Sequence, residues 1–376
     1  MKLEITLNKI LFLVLLYPIV LFFPNLIGRE GFWLTAPYFF LIFLFLLTFL
    51  LIKNRLRIGK ERILALLFFL LAISVYNFST LRYSLPLFFS LYCVLLFMVL
   101  SSIEKKTLNH QIIENFLSFY IVLSIPFFFL SNGFTNQQRF MGFVGSPTVY
   151  SGLITSLFVI VSLKFKLRSF KFIFLFITTF VLVYLTKTRL LIVFLLIYPI
   201  IRVLLTSKVW VNRKRIFLTF YLTTLFIYPL YNLVIEWFPS LVTLRYGNKQ
   251  DTSFGLRNYL YVTSQKEYFG GNTMEKIFGK GNEYSRRFIE NLMEIDLMPH
   301  NDYMRILIDW GFLGFVIFSF LLYKLAVKNN YTLFVALVYM ILFYSNLVFN
   351  IFLISILILM FFAVEEGINK KDYKLN

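Results

Sequence analysis

Long apolar runs, separated by short segments rich in lysine and arginine, make up most of this 376-residue sequence. Most runs are about 17–25 residues long, the length that an α-helix needs to cross the hydrocarbon core of a bilayer. The pattern predicts about twelve membrane-spanning helices, at 10–27, 33–52, 63–79, 83–100, 112–130, 147–163, 172–188, 190–206, 216–235, 304–323, 331–347 and 348–364. The stretch 331–364 is long for one span and short for two, and the lysines on both sides of it favour two.

The composition indicates lipid as the main solvent of the protein. Hydrophobic residues make up 59% of the chain, aromatic residues 20% and charged residues only 15%, with a mean hydropathy of +0.79. A water-soluble fold of this composition would expose large apolar patches. A single cysteine, Cys93, and two histidines, His110 and His300, exclude a disulfide framework and a multi-histidine metal site. The prediction is an all-α polytopic membrane protein with no cofactor.

The formal net charge of +19 would suggest a nucleic-acid partner in a soluble protein. Here the basic residues concentrate in alternate connections, such as 53–62, 164–171 and 213–215, and in the two tails. Positive charge on one side of a membrane protein marks its cytoplasmic side. The distribution therefore predicts that both termini are cytoplasmic, and it accounts for the basic surplus without nucleic acid.

The apolar pattern breaks between Trp237 and Tyr303, where glycines and charges of both signs are frequent. Loops of this length inside a compact chain tend to be functional. The charge distribution places this loop outside the cytoplasm. It divides the chain into the first nine spans at 1–236, the extracytoplasmic loop at 237–303, and the last three spans with a cytoplasmic tail at 304–376.

Two segments of the loop have the spacing of short amphipathic helices, Leu256–Tyr268 and Tyr284–Ile295. In the second, Tyr284, Phe288 and Leu292 recur every four residues and predict one apolar face. Such helices are suited to lie on the bilayer surface and to cover a cavity.

The run Pro299-His300-Asn301-Asp302-Tyr303 opens the span at 304–323. In the first turn of a helix, the positive end of the helix dipole favours a neutral imidazole, which is what a general base requires. Arg305 lies three residues after Asp302 and four before Asp309, so these charges can pair along one face. A second interpretation stays open, namely a well-capped helix whose histidine faces water.

Three arginines are predicted at the same membrane edge as His300: Arg139, Arg189 and Arg257. A guanidinium group can grip phosphate oxygens with two parallel hydrogen bonds. The alternative for each is an ordinary arginine that extends its charged end to the membrane surface.

Several signals of other classes are absent from the sequence. There is no Asp-x-Asp to hold a metal-bound nucleotide sugar and no Walker A loop for ATP. No acidic residue is expected deep within the spans, where an ion-coupled carrier usually needs one.

The motifs, in this order and on this side of the membrane, resemble those of the superfamily of O-antigen ligases and Wzy-type polymerases of O-antigen or capsular polysaccharide in bacterial envelopes. The sequence differs from the family pattern at Thr188, where the family usually has serine. Arg305 does not belong to the pattern and is inferred from helical spacing alone. The similar elements are Arg139-Phe140-x-Gly142-Phe143 with Pro147, Thr186-x-x-Arg189, Gly255-Leu256-Arg257, Phe278-Gly279-Lys280-Gly281, Pro299-His300-Asn301-Asp302-Tyr303 and Gly311-Phe312-Leu313-Gly314.

The resemblance implies a GT-C-like fold in the bacterial inner membrane and metal-independent, inverting glycosyl transfer. The donor would be an undecaprenyl-diphosphate-linked oligosaccharide, and the acceptor would be another lipid-linked repeat unit for a polymerase or the lipid A core for a ligase. Chain-length regulator and flippase proteins of the same pathway are the expected protein partners, and membrane lipid surrounds the spans.

The resemblance also implies roles for individual residues. Arg139, Arg189 and Arg257, with Arg305 added from its spacing, would bind the diphosphate. His300 would orient or deprotonate the acceptor hydroxyl, supported by its neighbours in the sequence, Asn301 and Asp302. We favour the polymerase. The alternatives are the ligase, a carrier or flippase for lipid-linked sugar, and a scaffold for other assembly enzymes.

Overall fold

The structure is a computed structural model that describes residues 6–29, 34–53, 84–103, 107–135, 138–206, 212–237, 252–281, 284–293, 301–345 and 351–363. Within these ranges the chain is helical apart from turns, short irregular connections and isolated β-bridge residues, among them the pair Phe134 and Phe140. The prediction of an all-α fold is confirmed for this part of the chain. Its α-helices, numbered here in chain order, are α1 (Leu7–Leu26), α2 (Thr35–Lys53), α3 (Ser84–Ser102), α4 (His110–Ser124), α5 (Pro147–Ser162), α6 (Phe170–Leu185), α7 (Arg189–Thr206), α8 (Arg213–Trp237), α9 (Thr252–Gly270), α10 (Thr273–Phe278), α11 (Tyr284–Met293), α12 (Asp302–Ala326), α13 (Asn330–Ser345) and α14 (Ile351–Phe362).

The predicted apolar runs coincide with helices, except for 63–79, which lies outside the described residues. Among the described helices, three are long and apolar enough to cross a membrane: Leu7–Leu26, His110–Phe128 and Asp302–Ala326. Several shorter apolar helices accompany them, at Pro37–Phe49, Leu91–Ser102, Pro147–Ser162, Phe170–Leu185, Asn330–Phe343 and Phe352–Phe362. The chain is therefore a multi-pass helical membrane protein, and the count of twelve spans remains a prediction.

The stretch 331–364 forms two helices, α13 and α14, as the flanking lysines indicated. Helix α13 lies at the centre of the bundle, because every side chain from Tyr331 to Phe343 is buried. It packs against α5, α8 and α12, and α5 is likewise buried from Val149 to Leu163. A helix that is apolar all round suits such a position, which explains why α13 shows no polar stripe.

The outer helices expose apolar side chains on one face only. On α6 this face carries Phe174, Ile177, Val181 and Tyr184, while Leu182 and Val183 are buried against the bundle. Such a surface is stable only against lipid, since in water it would be a large exposed apolar patch.

One end of the bundle is held together by basic side chains on helix ends. Arg202, late in α7, donates to the carbonyl oxygen of Ser162 at the end of α5 (2.8 Å). Arg213, at the start of α8, donates to the carbonyl oxygen of Lys328 after α12 (3.1 Å). We call this the basic end. Because α12 and α7 end near it, their first residues, Asp302 and Arg189, lie at the opposite end, here called the loop end.

Candidate active site

Arg139 is held against the turn that connects α6 and α7. Its Nε donates to the carbonyl oxygen of Thr186 (3.0 Å), and the next backbone N–H, of Phe140, donates to the carbonyl oxygen of Leu185 (2.9 Å). Thr135 closes the segment from the other side, since its N–H donates to the carbonyl oxygen of Arg139 (2.9 Å). The structure therefore brings together two motif elements that are 47 residues apart in the sequence.

The Thr186–Arg189 turn buries its threonines and exposes its cations. The Oγ1 of Thr188 accepts hydrogen bonds from Thr186 Oγ1 (2.9 Å) and from Ser151 Oγ of α5 (3.1 Å). Lys187, at the apex, has a left-handed backbone with φ of 54°, which is uncommon for a residue with a side chain. Lys187 and Arg189 are exposed as a result. A hydroxyl is what position 188 requires, so threonine in place of serine preserves this contact.

Gly142 explains the glycine in the Arg139 motif. Its φ is +57°, and a Cβ there would lie 2.6 Å from the Tyr150 ring. That ring is packed edge-on against Phe140, and its hydroxyl bonds to Ser124 of α4 (2.6 Å). The glycine thus allows the segment that carries Arg139 to pack directly on α5.

At the start of α12, Asn301 is a helix cap. Its side-chain oxygen accepts from the backbone N–H of Met304 (3.1 Å), which satisfies one of the N–H groups that the first turn of a helix leaves without a partner. Asp302 is fully buried in that turn, where a negative charge favourably meets the helix dipole. Because the cap is Asn301 and α12 begins at Asp302, His300 precedes the helix in the sequence, and its predicted place in the first turn was wrong. His300 itself lies outside the described residues, so its catalytic role remains a prediction.

The predicted pairing of Arg305 with Asp309 is confirmed, with 3.5 Å between Nε and Oδ2. The other carboxylate oxygen of Asp309 accepts from the backbone N–H of Ser285 in α11 (2.8 Å). Both charged side chains are buried, Asp309 to 2% exposure. Asp309 lies near the start of the predicted span 304–323, and this ion pair and the loop helix together compensate for the burial of its charge.

Helix α12 is broken at Gly311, where φ is 70° and ψ is −175°. A break interrupts the hydrogen-bond ladder of a helix. The carbonyl oxygens of Ile308 and Asp309 accept instead from the backbone N–H groups of Lys280 (2.8 Å) and Gly281 (3.1 Å). The loop is therefore seated on α12 by backbone hydrogen bonds at the break.

Glycine is required on both sides of this contact. A Cβ at Gly279, whose φ is +84°, would lie 2.3 Å from the carbonyl oxygen of Asp309, and a Cβ at Gly311 would lie 2.3 Å from that of Ile277. Two of the glycine motifs named above thus form one contact, called here the glycine clasp (residues 277–281 against 308–311).

We expect Gly279→Ala to unseat the loop. The left-handed backbone and the clash should together cost at least about 2 kcal/mol, enough to raise the open population roughly 30-fold. Limited proteolysis of the purified protein would measure this as faster cleavage between α9 and α12.

Gly270→Ala is the matched control, because a Cβ there meets no atom within 4 Å. It should be cleaved at the wild-type rate. Wild-type cleavage of Gly279→Ala would contradict the clasp.

A second fastening within the loop centres on Lys280. Its Nζ lies 2.5 Å from Oε1 of Glu267 in α9, and the Tyr284 hydroxyl donates to the same oxygen (2.8 Å). Burial raises the pKa of Glu267, but the hydrogen bonds from Lys280 and Tyr284 outweigh burial and hold that pKa below its usual value. Burial lowers the pKa of Lys280, and its bond to Glu267 raises it overall. Both groups are therefore charged at neutral pH.

The loop helices differ in part from their prediction. The segments 256–268 and 284–295 correspond to α9 and α11, and Arg257 lies in α9. In α11 the face packed inward carries Ser285 and Ile289 rather than the predicted apolar stripe, because Ser285 must reach Asp309.

Helix α10 was not predicted. Its signal is Asn272-x-x-Glu275, which forms a reciprocal capping box with bonds of 3.0 and 3.2 Å between each side chain and the other residue's backbone N–H.

Five of the predicted site residues thus fall into two groups at the loop end. Arg139 and the Thr186–Arg189 turn form one group, and the start of α12, with Asn301, Asp302 and Arg305, forms the other. Helix α13 packs against both α7, which begins at Arg189, and α12, which carries the second group.

The fold and these features define a multi-pass helical membrane protein with a loop of helices seated on one of its spans. Residues 174–319 match the family model described as O-antigen ligase, which confirms the resemblance to the O-antigen ligase and Wzy-type superfamily. The matched region includes Arg189, the loop and most of α12, while Arg139 precedes it. No curated protein matches the chain. The match supports a role of ligase or polymerase type in surface polysaccharide synthesis.

Proposed function

We propose that the protein polymerises a bacterial surface polysaccharide, O-antigen or capsule, by metal-independent inverting glycosyl transfer. It transfers an undecaprenyl-diphosphate-linked glycan onto another lipid-linked repeat unit at the outer leaflet of the inner membrane. The observation that carries the proposal is the joining of Arg139 to the Thr186–Arg189 turn, in a chain whose residues 174–319 match the O-antigen ligase family model.

The arginines would bind the donor diphosphate. Arg139 is anchored through Nε to Thr186, which fixes the direction of its guanidinium group. Arg189 is exposed on the same turn and begins α7, whose first turn is the positive end of a helix dipole. Positive groups at this place would stabilise the charge that grows on the leaving diphosphate. Arg257 is proposed to add a third cation from the loop.

The acceptor would be activated at the start of α12. His300 takes the proton of the acceptor hydroxyl while its oxygen attacks the anomeric carbon, and the bond from that carbon to the diphosphate breaks with its electron pair. Attack from the face opposite the leaving group inverts the anomeric carbon. Asn301 supports this arrangement because its cap fixes the first turn of α12 next to His300, with Asp302 buried behind it.

Arg305 would be oriented by Asp309 and so by the loop. Asp309 holds Nε of Arg305 with one oxygen and α11 with the other. When the loop is seated on α12, Asp309 would hold the guanidinium group of Arg305 in position to bind the diphosphate. Loop position and diphosphate binding would thereby be coupled.

Two other functions are the alternatives. The description of the matching family favours a ligase that transfers glycan to the lipid A core. A carrier or flippase for lipid-linked sugar belongs to a different class and would move the substrate without extending it. The polymerase would work beside the flippase and the chain-length regulator of the same pathway, with both termini of the chain in the cytoplasm.

The size profile of surface glycan in a strain deleted for this gene separates polymerase from ligase. We expect the final surface acceptor to carry single repeat units and no chains of more than one unit. Long chains that accumulate on undecaprenyl diphosphate, with none on the final acceptor, would show a ligase and contradict the polymerase.

A further inference from the structure

The short helix α10 and its surroundings expose apolar side chains although they belong to the polar loop. Met274 is 67% exposed, and Ile277 and Phe278 are exposed on the same short helix. Phe269, at the end of α9, is exposed beside them in the chain. An apolar surface of this kind needs a partner.

The glycine clasp fixes the depth of α10 in the membrane. Gly311 lies 13 residues before Lys324, which is about 20 Å at the rise of 1.5 Å per residue of an α-helix. The hydrocarbon core of a bilayer is about 30 Å thick. With Lys324 at the basic end marking one edge of that core, Gly311 lies inside the other leaflet, and tilting of α12 would place it deeper still. Since α10 contacts Gly311 through backbone atoms, it lies close to the same depth.

A stripe of exposed apolar side chains on α12 begins next to α10. Phe312, Val316 and Phe320 are exposed four residues apart, so they share one face of that helix. Phe312 directly follows the glycine against which Ile277 is packed. The stripe therefore begins at the residue that follows the contact between α12 and α10, and both surfaces are apolar.

Several polar groups of this unit are paired inside the protein, as a lipid environment demands. The capping box pairs Asn272 with Glu275, and the Gly279 N–H donates to the carbonyl oxygen of Glu275 (2.8 Å). Lys280 is paired with Glu267.

We propose that α10 inserts Met274, Ile277 and Phe278 into the leaflet on the loop side of the membrane. Lipid acyl chains are the partner of this surface, and the loop is thereby anchored at two points, by backbone at the glycine clasp and by lipid at α10. This anchor holds whatever reaction the protein performs, so its test is independent of glycan transfer.

Site-directed spin labelling of the full chain tests the insertion. Met274→Cys and Phe278→Cys, each in a Cys93→Ala background, are labelled with a nitroxide and reconstituted in vesicles of phosphatidylethanolamine and phosphatidylglycerol. Collision with oxygen, which concentrates in lipid, is compared with collision with a water-soluble nickel chelate. Phe320→Cys reports lipid on α12, and Glu290→Cys reports water on the exposed, charged face of α11.

We expect both α10 labels to collide with oxygen more than with the nickel chelate, as Phe320→Cys does, and Glu290→Cys to show the reverse. The two α10 labels are read together, and lipid exposure of either one supports the insertion, since both replaced side chains are exposed. Nickel accessibility of both labels at the level of Glu290→Cys, with Phe320→Cys still in lipid, would overturn the proposal.

Discussion

Replacing Arg189 with alanine should lower the rate of polymer formation roughly 10²–10³-fold, the usual loss when one group that stabilises developing negative charge is removed. The side chain is exposed at the turn to which Arg139 is fixed, so its loss should leave the fold intact. Arg189→Lys should restore little activity, since a lysine offers a point charge without the two-pronged grip of a guanidinium group.

Arg168→Ala is the matched control for Arg189→Ala. Arg168 is an exposed arginine just before α6, at the basic end, and its removal changes the net charge by the same amount. The control should make polymer of normal length and quantity. Normal polymer from Arg189→Ala, in protein that inserts at wild-type levels, would return Arg189 to the role of an ordinary arginine at the membrane surface.

His300→Ala should abolish detectable polymer while the protein still inserts in the membrane. A general base contributes about 10²–10⁴-fold to a rate, and loss on this scale removes long chains from the surface. Addition of imidazole to membranes of His300→Ala should restore part of the activity, because a small base can then occupy the space of the missing ring.

The other histidine of the chain provides the control for His300→Ala. His110 starts α4, near the basic end, and its ring packs against that of Tyr331 with centroids 4.7 Å apart. His110→Ala should retain polymer formation once the amount of protein is corrected for. A strain with His300→Ala that polymerises fully would remove the catalytic assignment.

The helices of the bundle could be predicted from the sequence because a lipid environment constrains each span separately. A span must satisfy its own backbone and be apolar for its full length, so runs such as 10–27 and 147–163 reveal α1 and α5 without knowledge of their neighbours. The division of 331–364 into α13 and α14 followed from the lysines beside it.

The pairing of Arg305 with Asp309 was also predictable, because residues four apart on a helix are neighbours. The joining of Arg139 to Thr186 was not predictable from spacing, since a loop and a helical turn meet there through tertiary packing. The hydrogen bond from the Ser285 backbone N–H to Asp309 was not predictable either, because it also depends on tertiary packing. This bond places Ser285, and not the predicted apolar face of α11, against α12.

The glycine clasp shows a further limit of the sequence. Gly279 and Gly311 each belong to a short motif in the sequence, but the sequence does not show which backbone segment packs against each glycine. Only the fold shows that the two glycines make room for each other. Helix α10 was within reach of sequence reasoning through Asn272 and Glu275, whose spacing is that of a capping box.

The most direct test of glycan transfer at this site is extension of a purified undecaprenyl-diphosphate-linked repeat unit by the purified protein in proteoliposomes, with the products sized by electrophoresis. We predict a ladder of longer lipid-linked chains with the wild-type protein, unchanged by a metal chelator and absent with His300→Ala. Movement of the repeat unit across the bilayer without any extension, in a preparation that also holds the acceptor, would contradict the transferase and identify a carrier.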